Sequence, residues 1–246
     1  MSAAKTAPKT AMVMAAGLGT RMRPLTLTMP KALVPVAGKP LIAHVIDPLI
    51  AAGVERVVVN VHAHADQLEA YLTSRRDAEF LVSDEREALL ETGGGVKHAR
   101  ALLGEAPIFR CNSDYVWRKP GGPALDALIA TWDPARMDAL VTVIPKARTL
   151  GFEGSPGDFY QDEAGRLTHR GERPEAPLHA IGIEILDPRP VYADPRAAFS
   201  LRDVWFRSSD KGRLFGLQQD GLWMQVGDPG ALAAVEAQLA REVDLS

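Results

Sequence analysis

The chain has 246 residues, and 28 Lys and Arg against 31 Asp and Glu leave a net charge of −3. No overall basic field is present to recruit nucleic acid or an anionic membrane, so any anion binding has to be local. The single cysteine, Cys111, excludes an internal disulfide and fits a reducing compartment, which makes a cytoplasmic protein the expectation, and no apolar run approaches the length that spans a bilayer.

Met1 to Thr10 carry two lysines and no apolar core of their own, which reads as a loose tail rather than a signal peptide. Residues 11–246 are expected to form one domain, because α/β units of this length often run as a single body. Ala11 to Ala16 predicts a buried first strand, and Pro40 to Ala52 a helix stopped by Gly53. Arg56 to Val61 is the second strand, Asp66 to Leu72 a helix and Glu79 to Val82 a third strand. Gly94 to Leu103 predicts a helix ended by Gly104, and Ile108 to Asn112 a strand that delivers Asp114 just past its carboxyl end. Further on, Ala139 to Ile144 predicts a strand, Phe159 to His169 a hairpin turning at residues 162–165, and Ala180 to Leu186 a buried strand. Arg213 to Val226 suggests a second hairpin turning at Gln219-Asp220-Gly221, and Pro229 to Glu242 a last helix with Asp228 as N-cap. Strands alternating with amphipathic helices mark βαβ units around a mostly parallel mixed sheet. In such sheets ligands bind outside the carboxyl ends of the strands, so the first loop and Asp114 should face one crevice.

The first loop, from Gly17 to Lys31, is rich in chemistry. Gly17 and Gly19 fall where the first strand must turn, main chain without a Cβ can approach phosphate oxygens closely, and Arg21 and Lys31 supply full positive charges. Taken alone, the two glycines also fit a plain tight turn. A Walker A loop is excluded, since no Gly-Lys-Ser or Gly-Lys-Thr follows. The dinucleotide fingerprint fails as well, because Met22 stands where a third glycine belongs and the second strand leads to Asn60 and His62 rather than to an acid. Asp114 alone reads as a turn cap; coupled to a phosphate-binding loop it is the candidate carboxylate for magnesium. His62-x-His64 lacks any partner set for zinc, and Cys111 reads as a small buried strand residue rather than a nucleophile.

Ala15-Ala16-Gly17-x-Gly19-Thr20-Arg21-Met22-x-Pro24-Leu25-Thr26 followed by Pro30-Lys31-Ala32-Leu33-Val34-Pro35-Val36 resembles the signature of the sugar-1-phosphate nucleotidyltransferases. The likeness extends to residues 90–95, Asn112-Ser113-Asp114, Gly157-Asp158-Phe159 and Trp223-x-Gln225-Val226-Gly227, and is weakest between about 121 and 173. Within that family the chain is most similar to the short N-acetylmuramate-1-phosphate uridylyltransferases and to the mannose-1-phosphate guanylyltransferase-like proteins. The resemblance implies a Rossmann-like, three-layer α/β/α fold, and transfer of a nucleoside monophosphate from an NTP, UTP by preference, to a sugar 1-phosphate of cell-wall recycling, with no nucleic acid or membrane partner and a monomeric or homodimeric state.

It further implies Arg21 and Lys31 as catalytic cations, and a nucleotide site built from Ala16, Gly17, Gly19, Thr20, Arg21, Glu91, Thr92, Gly93 and Asn112. Glu91 and Thr92 would read the base edge through main-chain groups, although three glycines before a helix also fit a flexible entry. Gly157, Asp158 and Glu184 match sugar-contacting positions, with residues 151–173 as a lobe over the acceptor. Mg2+ would be held by Asp114 and a second ligand at Gln225, where relatives carry an aspartate. That exchange leaves alternatives open: a substrate-completed metal site, a share for Asp228, or a non-catalytic nucleotide-sugar binding relative. Guanylyl or thymidylyl transfer to mannose, heptose or glucose 1-phosphate is the alternative within enzymology.

Overall fold

The computed structural model describes residues 7–118, 125–152 and 154–243. In chain order these form β1 (Thr10–Met14), β2 (Pro35–Val36), β3 (Lys39–Pro40), α1 (Ala43–Ala51), β4 (Arg56–Val61), α2 (Ala65–Ser74), β5 (Glu79–Asp84), α3 (Glu91–His98), α4 (Arg100–Leu103), β6 (Ile108–Asn112) and β7 (Tyr115–Arg118). There follow α5 (Leu125–Thr131), β8 (Ala139–Pro145), β9 (Thr149–Leu150), β10 (Phe159–Gln161), β11 (Leu167–His169), β12 (Leu178–Leu186), α6 (Arg189–Tyr192), α7 (Leu201–Asp210), β13 (Leu214–Gln218), β14 (Leu222–Gln225) and α8 (Pro229–Val243).

The main sheet runs β11-β10-β12-β6-β1-β4-β5, with β8 also on β12 and β13 on β8. β6, β1, β4 and β5 are mutually parallel, as βαβ crossovers require, whereas β12 enters antiparallel to β6. Side chains alternate across the parallel strands. Ala11, Val13, Val57, Val59 and Phe109 pack on one face with Leu68 and Leu72 of α2 and Leu125 and Leu128 of α5. Met12, Val58 and Ile108 pack on the other with Val96 of α3 and Val204 and Trp205 of α7. Period-two alternation with both faces apolar therefore yields three layers. A third cluster, including Met22, Val34, Met224 and Leu239, joins the first loop and α8 to a small sheet ordered β7-β14-β9. Among the described residues no helix is long and apolar enough to cross a membrane.

Several expectations are corrected. Of the loose tail, residues 1–6 lie outside the described residues, but Lys9 is fixed: its carbonyl accepts from the Glu55 and Arg56 amides at 2.9 and 3.0 Å, and Thr10 already belongs to β1. The first helix begins at Ala43, because Lys39–Pro40 pairs antiparallel with Pro35–Val36. The helix placed at 94–103 starts at Glu91 and is interrupted at Ala99. Residues 213–226 do not form a hairpin: β13 runs parallel to β8 in the main sheet, while β14 pairs with β7 and β9 in the small one. Both segments are apolar and separated by turn residues, so local pattern alone cannot distinguish a hairpin from two strands in different sheets. The hairpin at 159–169 forms as β10 and β11, and the Asp228 carboxylate accepts from the Ala231 amide at 2.9 Å as an N-cap.

Candidate active site

At the carboxyl ends of β1, β4 and β6 the first loop folds back on itself. Gly19 adopts φ +61, and a Cβ there would lie 3.0 Å from Thr26 Cγ2 and 3.1 Å from Lys31 Cβ, so only glycine closes this turn without strain. The Thr26 hydroxyl donates to the Gly19 carbonyl at 2.8 Å, and buried Met22 ties the loop to the core beneath. Gly17 is exposed and would place a Cβ in open space, so packing does not demand glycine there. Arg21 is exposed, close to Gly227, and makes no hydrogen bond or ion pair among the described residues. Lys31 is held differently: its Nζ lies 2.7 Å from Asp114 Oδ2, with side chains only 16% and 20% exposed.

The facing wall is fixed by a buried polar chain. The Ala15 amide donates to Asn60 Oδ1 at 2.6 Å, Asn60 Nδ2 donates to Glu85 Oε1 at 2.8 Å, and the Leu90 amide donates to Glu85 Oε2 at 3.3 Å. This chain spans β1, β4 and the turn after β5, and so sets the distance between the first loop and the start of α3. Glu91 opens α3 at φ +59, a left-handed conformation unusual for a residue with a Cβ. Thr92 Oγ1 accepts from the Leu201 amide at 2.9 Å. Between the walls lies a cleft of about 410 Å³ lined by Ala15, Ala16, Gly17, Gly19, Thr20, Arg21, Lys31, Asn60, Glu85, Glu91, Thr92, Asn112 and Asp114, among others.

A second cavity of about 310 Å³ shares Thr92 and Asn112 with the first. Its shape comes from an irregularity in β12, where register shifts between Ala180 and Glu184. Gly182 sits inside it at φ +70, and a Cβ would lie 2.5 Å from Tyr115 Cε2 and 2.8 Å from Asn112 Nδ2. Asn112 Nδ2 in turn donates to the Tyr115 hydroxyl at 3.1 Å, and the Tyr115 phenol is pushed up in pKa by its burial. Asp158 lines this cavity, with Oδ2 accepting from the Ala180 amide at 3.0 Å.

Ten sequence-predicted site residues thus share the first cleft: Ala16, Gly17, Gly19, Thr20, Arg21, Lys31, Glu91, Thr92, Asn112 and Asp114. Others stand elsewhere. Gly93 is inside α3 and does not line the cleft; its amide donates to the Phe199 carbonyl, and a Cβ would lie 2.3 Å from Phe199 Cε2, so close packing already requires glycine there. Gly157 turns at φ +80 against the Ala176 carbonyl and lines neither cavity. Glu184 is sealed behind the second cavity, bonded to Trp205 Nε1 at 2.8 Å, and desolvation pushes its carboxyl up to about 7. Gln225 does not line the cleft, although the next residue's amide, Val226, donates to the Asp114 carbonyl at 3.0 Å. Cys111 is buried, with its thiol pushed up to about 12 by desolvation, in keeping with a small structural strand residue. Asn60 and Glu85 were missed by sequence reasoning, though one Asn in Val57-Val58-Val59-Asn60-Val61 is itself a signal: a polar residue in a buried strand needs a built partner.

The model of the nucleotidyl transferase family matches residues 10–242. This chain belongs to the nucleotidyl transferase family. It is 49% identical over 238 residues to an N-acetylmuramate alpha-1-phosphate uridylyltransferase of Caulobacter vibrioides, covering 95% of this chain and 98% of that one. With mannose-1-phosphate guanyltransferase beta-B of Xenopus laevis it shares 29% identity over 228 residues, spanning 89% of this chain but only 61% of the relative. The crystal structure of UDP-glucose pyrophosphorylase complexed with UDP-glucose superposes with a TM-score of 0.78 at 18% identity, covering 96% of this chain and 99% of that one. The three-layer fold is thus that of sugar-nucleotide enzymes.

Proposed function

We propose that this chain transfers the uridylyl group of UTP to N-acetylmuramate 1-phosphate, giving UDP-N-acetylmuramate and pyrophosphate, in the cytoplasm as part of cell-wall recycling. The observation that carries the reading is one cleft in which glycine-rich main chain, Arg21, Lys31 and Asp114 converge, beside a second cavity that shares Thr92 and Asn112 with it. The 49% identical relative supports the choice of base and sugar.

A phosphate oxygen of the acceptor attacks the α-phosphorus; the new O–P bond forms as the bond to the β-phosphate oxygen breaks, and pyrophosphate carries away the electron pair. Two polyanions must meet, so the cleft has to offset their repulsion and hold them in line. Arg21, unengaged among the described residues, is free to fork onto triphosphate oxygens and take up charge as pyrophosphate departs. Lys31, held by Asp114 at 2.7 Å, would neutralise oxygens of the reacting phosphates. Asn60 and Glu85 act at one remove, holding Ala15 where its loop must lie.

Asp114 also suits a magnesium ion: its Oδ1 is buried without a hydrogen-bond partner, as a carboxylate reserved for a cation would be. Gln225 would add at most a neutral carbonyl oxygen, so Asp114 would be the charged protein ligand. A magnesium ion held there would supply Lewis-acid neutralisation of phosphate charge. The displacement of Gln225 from the cleft lining favours a second reading, nucleotide binding without turnover.

Pyrophosphate release measured across UTP, GTP and dTTP, each with several sugar 1-phosphates and Mg2+, separates these readings. The pair UTP and N-acetylmuramate 1-phosphate is expected to give the highest kcat/KM. Greater turnover with GTP and mannose 1-phosphate would overturn the assignment, and nucleotide binding without release from any pair would establish the binding relative.

A further inference from the structure

Behind the second cavity lies a charged pair that the transfer reaction does not employ. Arg110 on β6 stands opposite Glu184 on β12, with side chains only 4% and 1% exposed and Arg110 Nε 3.8 Å from Glu184 Oε1. At that separation neither atom is hydrogen-bonded, and both are unpartnered. The Glu184 carboxylate is pinned from the far side by Trp205 Nε1 at 2.8 Å. Arg110 therefore has an ion-pair partner for part of its charge and no acceptor for its buried Nε. It donates no hydrogen bond to any described residue, yet it lines the cavity. A buried donor such as this Nε ordinarily has an acceptor, since leaving it unsatisfied is disfavoured.

A second cation, Arg202 of α7, lines the same cavity and lies 3.1 Å from His169 Nε2 through its Nη2. The one acid in the lining, Asp158, already accepts from the Ala180 amide. Arg21 and Lys31, the cations suited to the reacting phosphates, line the first cleft and not the second. A cation in the second cavity thus meets a substituent of the acceptor sugar rather than its 1-phosphate. Burial, which favours the protonated form of Glu184, reduces the cancellation of the Arg110 charge and leaves it available to an incoming anion.

We infer that Arg110, with Arg202 at the rim, is a specificity-determining anion subsite that takes a carboxylate borne by the acceptor sugar. The inference rests on the function proposed above and deepens it: N-acetylmuramate differs from N-acetylglucosamine by an ether-linked lactate, and that lactate carries the acid. Planar recognition of a carboxylate suits a buried guanidinium whose donors are not claimed by other side chains.

The test compares kcat/KM for N-acetylmuramate 1-phosphate and N-acetylglucosamine 1-phosphate, with UTP and Mg2+, in the full chain and in Arg110→Leu. The double variant Arg110→Leu/Glu184→Leu leaves no unpaired buried acid and keeps the test valid if the single variant fails to fold. The parent is expected to prefer the acid, and the ratio of the two values is expected to fall about tenfold or more in the variants through KM, with Arg110→Lys intermediate. An unchanged ratio in a folded variant overturns the subsite while leaving uridylyl transfer intact. A uniform loss on both acceptors assigns the pair to folding alone and overturns it equally. A parent that turns over the neutral acceptor better than the acid refutes the functional reading itself, and the subsite with it.

Discussion

Asn60→Ala removes the middle of the polar chain that spaces the two walls of the cleft. Two groups lose a partner: the Ala15 amide, held at 2.6 Å, and Glu85 Oε1, held at 2.8 Å. A buried donor or acceptor left unsatisfied costs about 1–3 kcal/mol, with charged acceptors towards the top of that range. Glu85 keeps the Leu90 amide, and both orphaned groups border the cleft, so water relieves part of the loss. A net destabilisation of roughly 2–4 kcal/mol follows, which for a chain of this size is a melting temperature lower by about 5–15 °C. The loosened Ala15 should also raise KM for UTP more than it lowers kcat, since ground and transition states both use the loop main chain. Calorimetric melting together with steady-state kinetics checks both parts. A shift below about 2 °C with an unchanged UTP KM would show that the chain carries no structural burden and that the wall is set by packing alone.

Arg21→Ala is expected to lower kcat by about a hundredfold with a smaller change in UTP KM, because its charge is most useful as the leaving group accumulates negative charge; equal kcat would dismiss that role. Asp114→Asn should shift the Mg2+ concentration for half-maximal activity upward by about tenfold or more, and a titration overlaying that of the parent would remove Asp114 as ligand. Glu184, flanked by Arg110 and Trp205, has its folded pKa raised from 4.5 to about 7 by desolvation, so the native state holds its proton more tightly than the unfolded chain. Its stabilising contribution is complete below pH 4.5 and is lost as pH rises through about 7; Glu184→Gln should flatten that decline by up to about 3 kcal/mol, and parallel stability profiles for the two proteins would refute it. Gly182→Ala, whose Cβ meets Tyr115 at 2.5 Å and Asn112 at 2.8 Å, should raise acceptor KM more than that for UTP, and equal changes in both would detach this turn from the acceptor cavity.

Which parts of the molecule were legible in the sequence follows from the range of the forces involved. The first loop announces itself because its glycines, cations and prolines are contiguous, and Asp114 because it follows an apolar strand by two residues. The parallel strands were readable from unbroken runs such as Val57-Val58-Val59. The role of Gly93 was not, since its neighbour Phe199 lies over a hundred residues away and nothing local distinguishes a glycine required by helix contact from one required by a ligand. The same holds for Glu184, whose surroundings are decided by Trp205 and Arg110, and for β14, whose partners β7 and β9 come from distant segments. Long-range pairing is where single-sequence inference gives out.

Thr92 and Asn112 line both cavities, so under the function proposed above they form a boundary shared by donor and acceptor. Any engineer or lineage seeking a different product has little freedom at that party wall, because altering it disturbs both tenants together. Under that assignment, room for diversification lies instead at the far margin, around Phe152, Asp158 and Arg202, which line the second cavity and not the first. One framework can in this way retain its choice of base while its repertoire of sugars drifts.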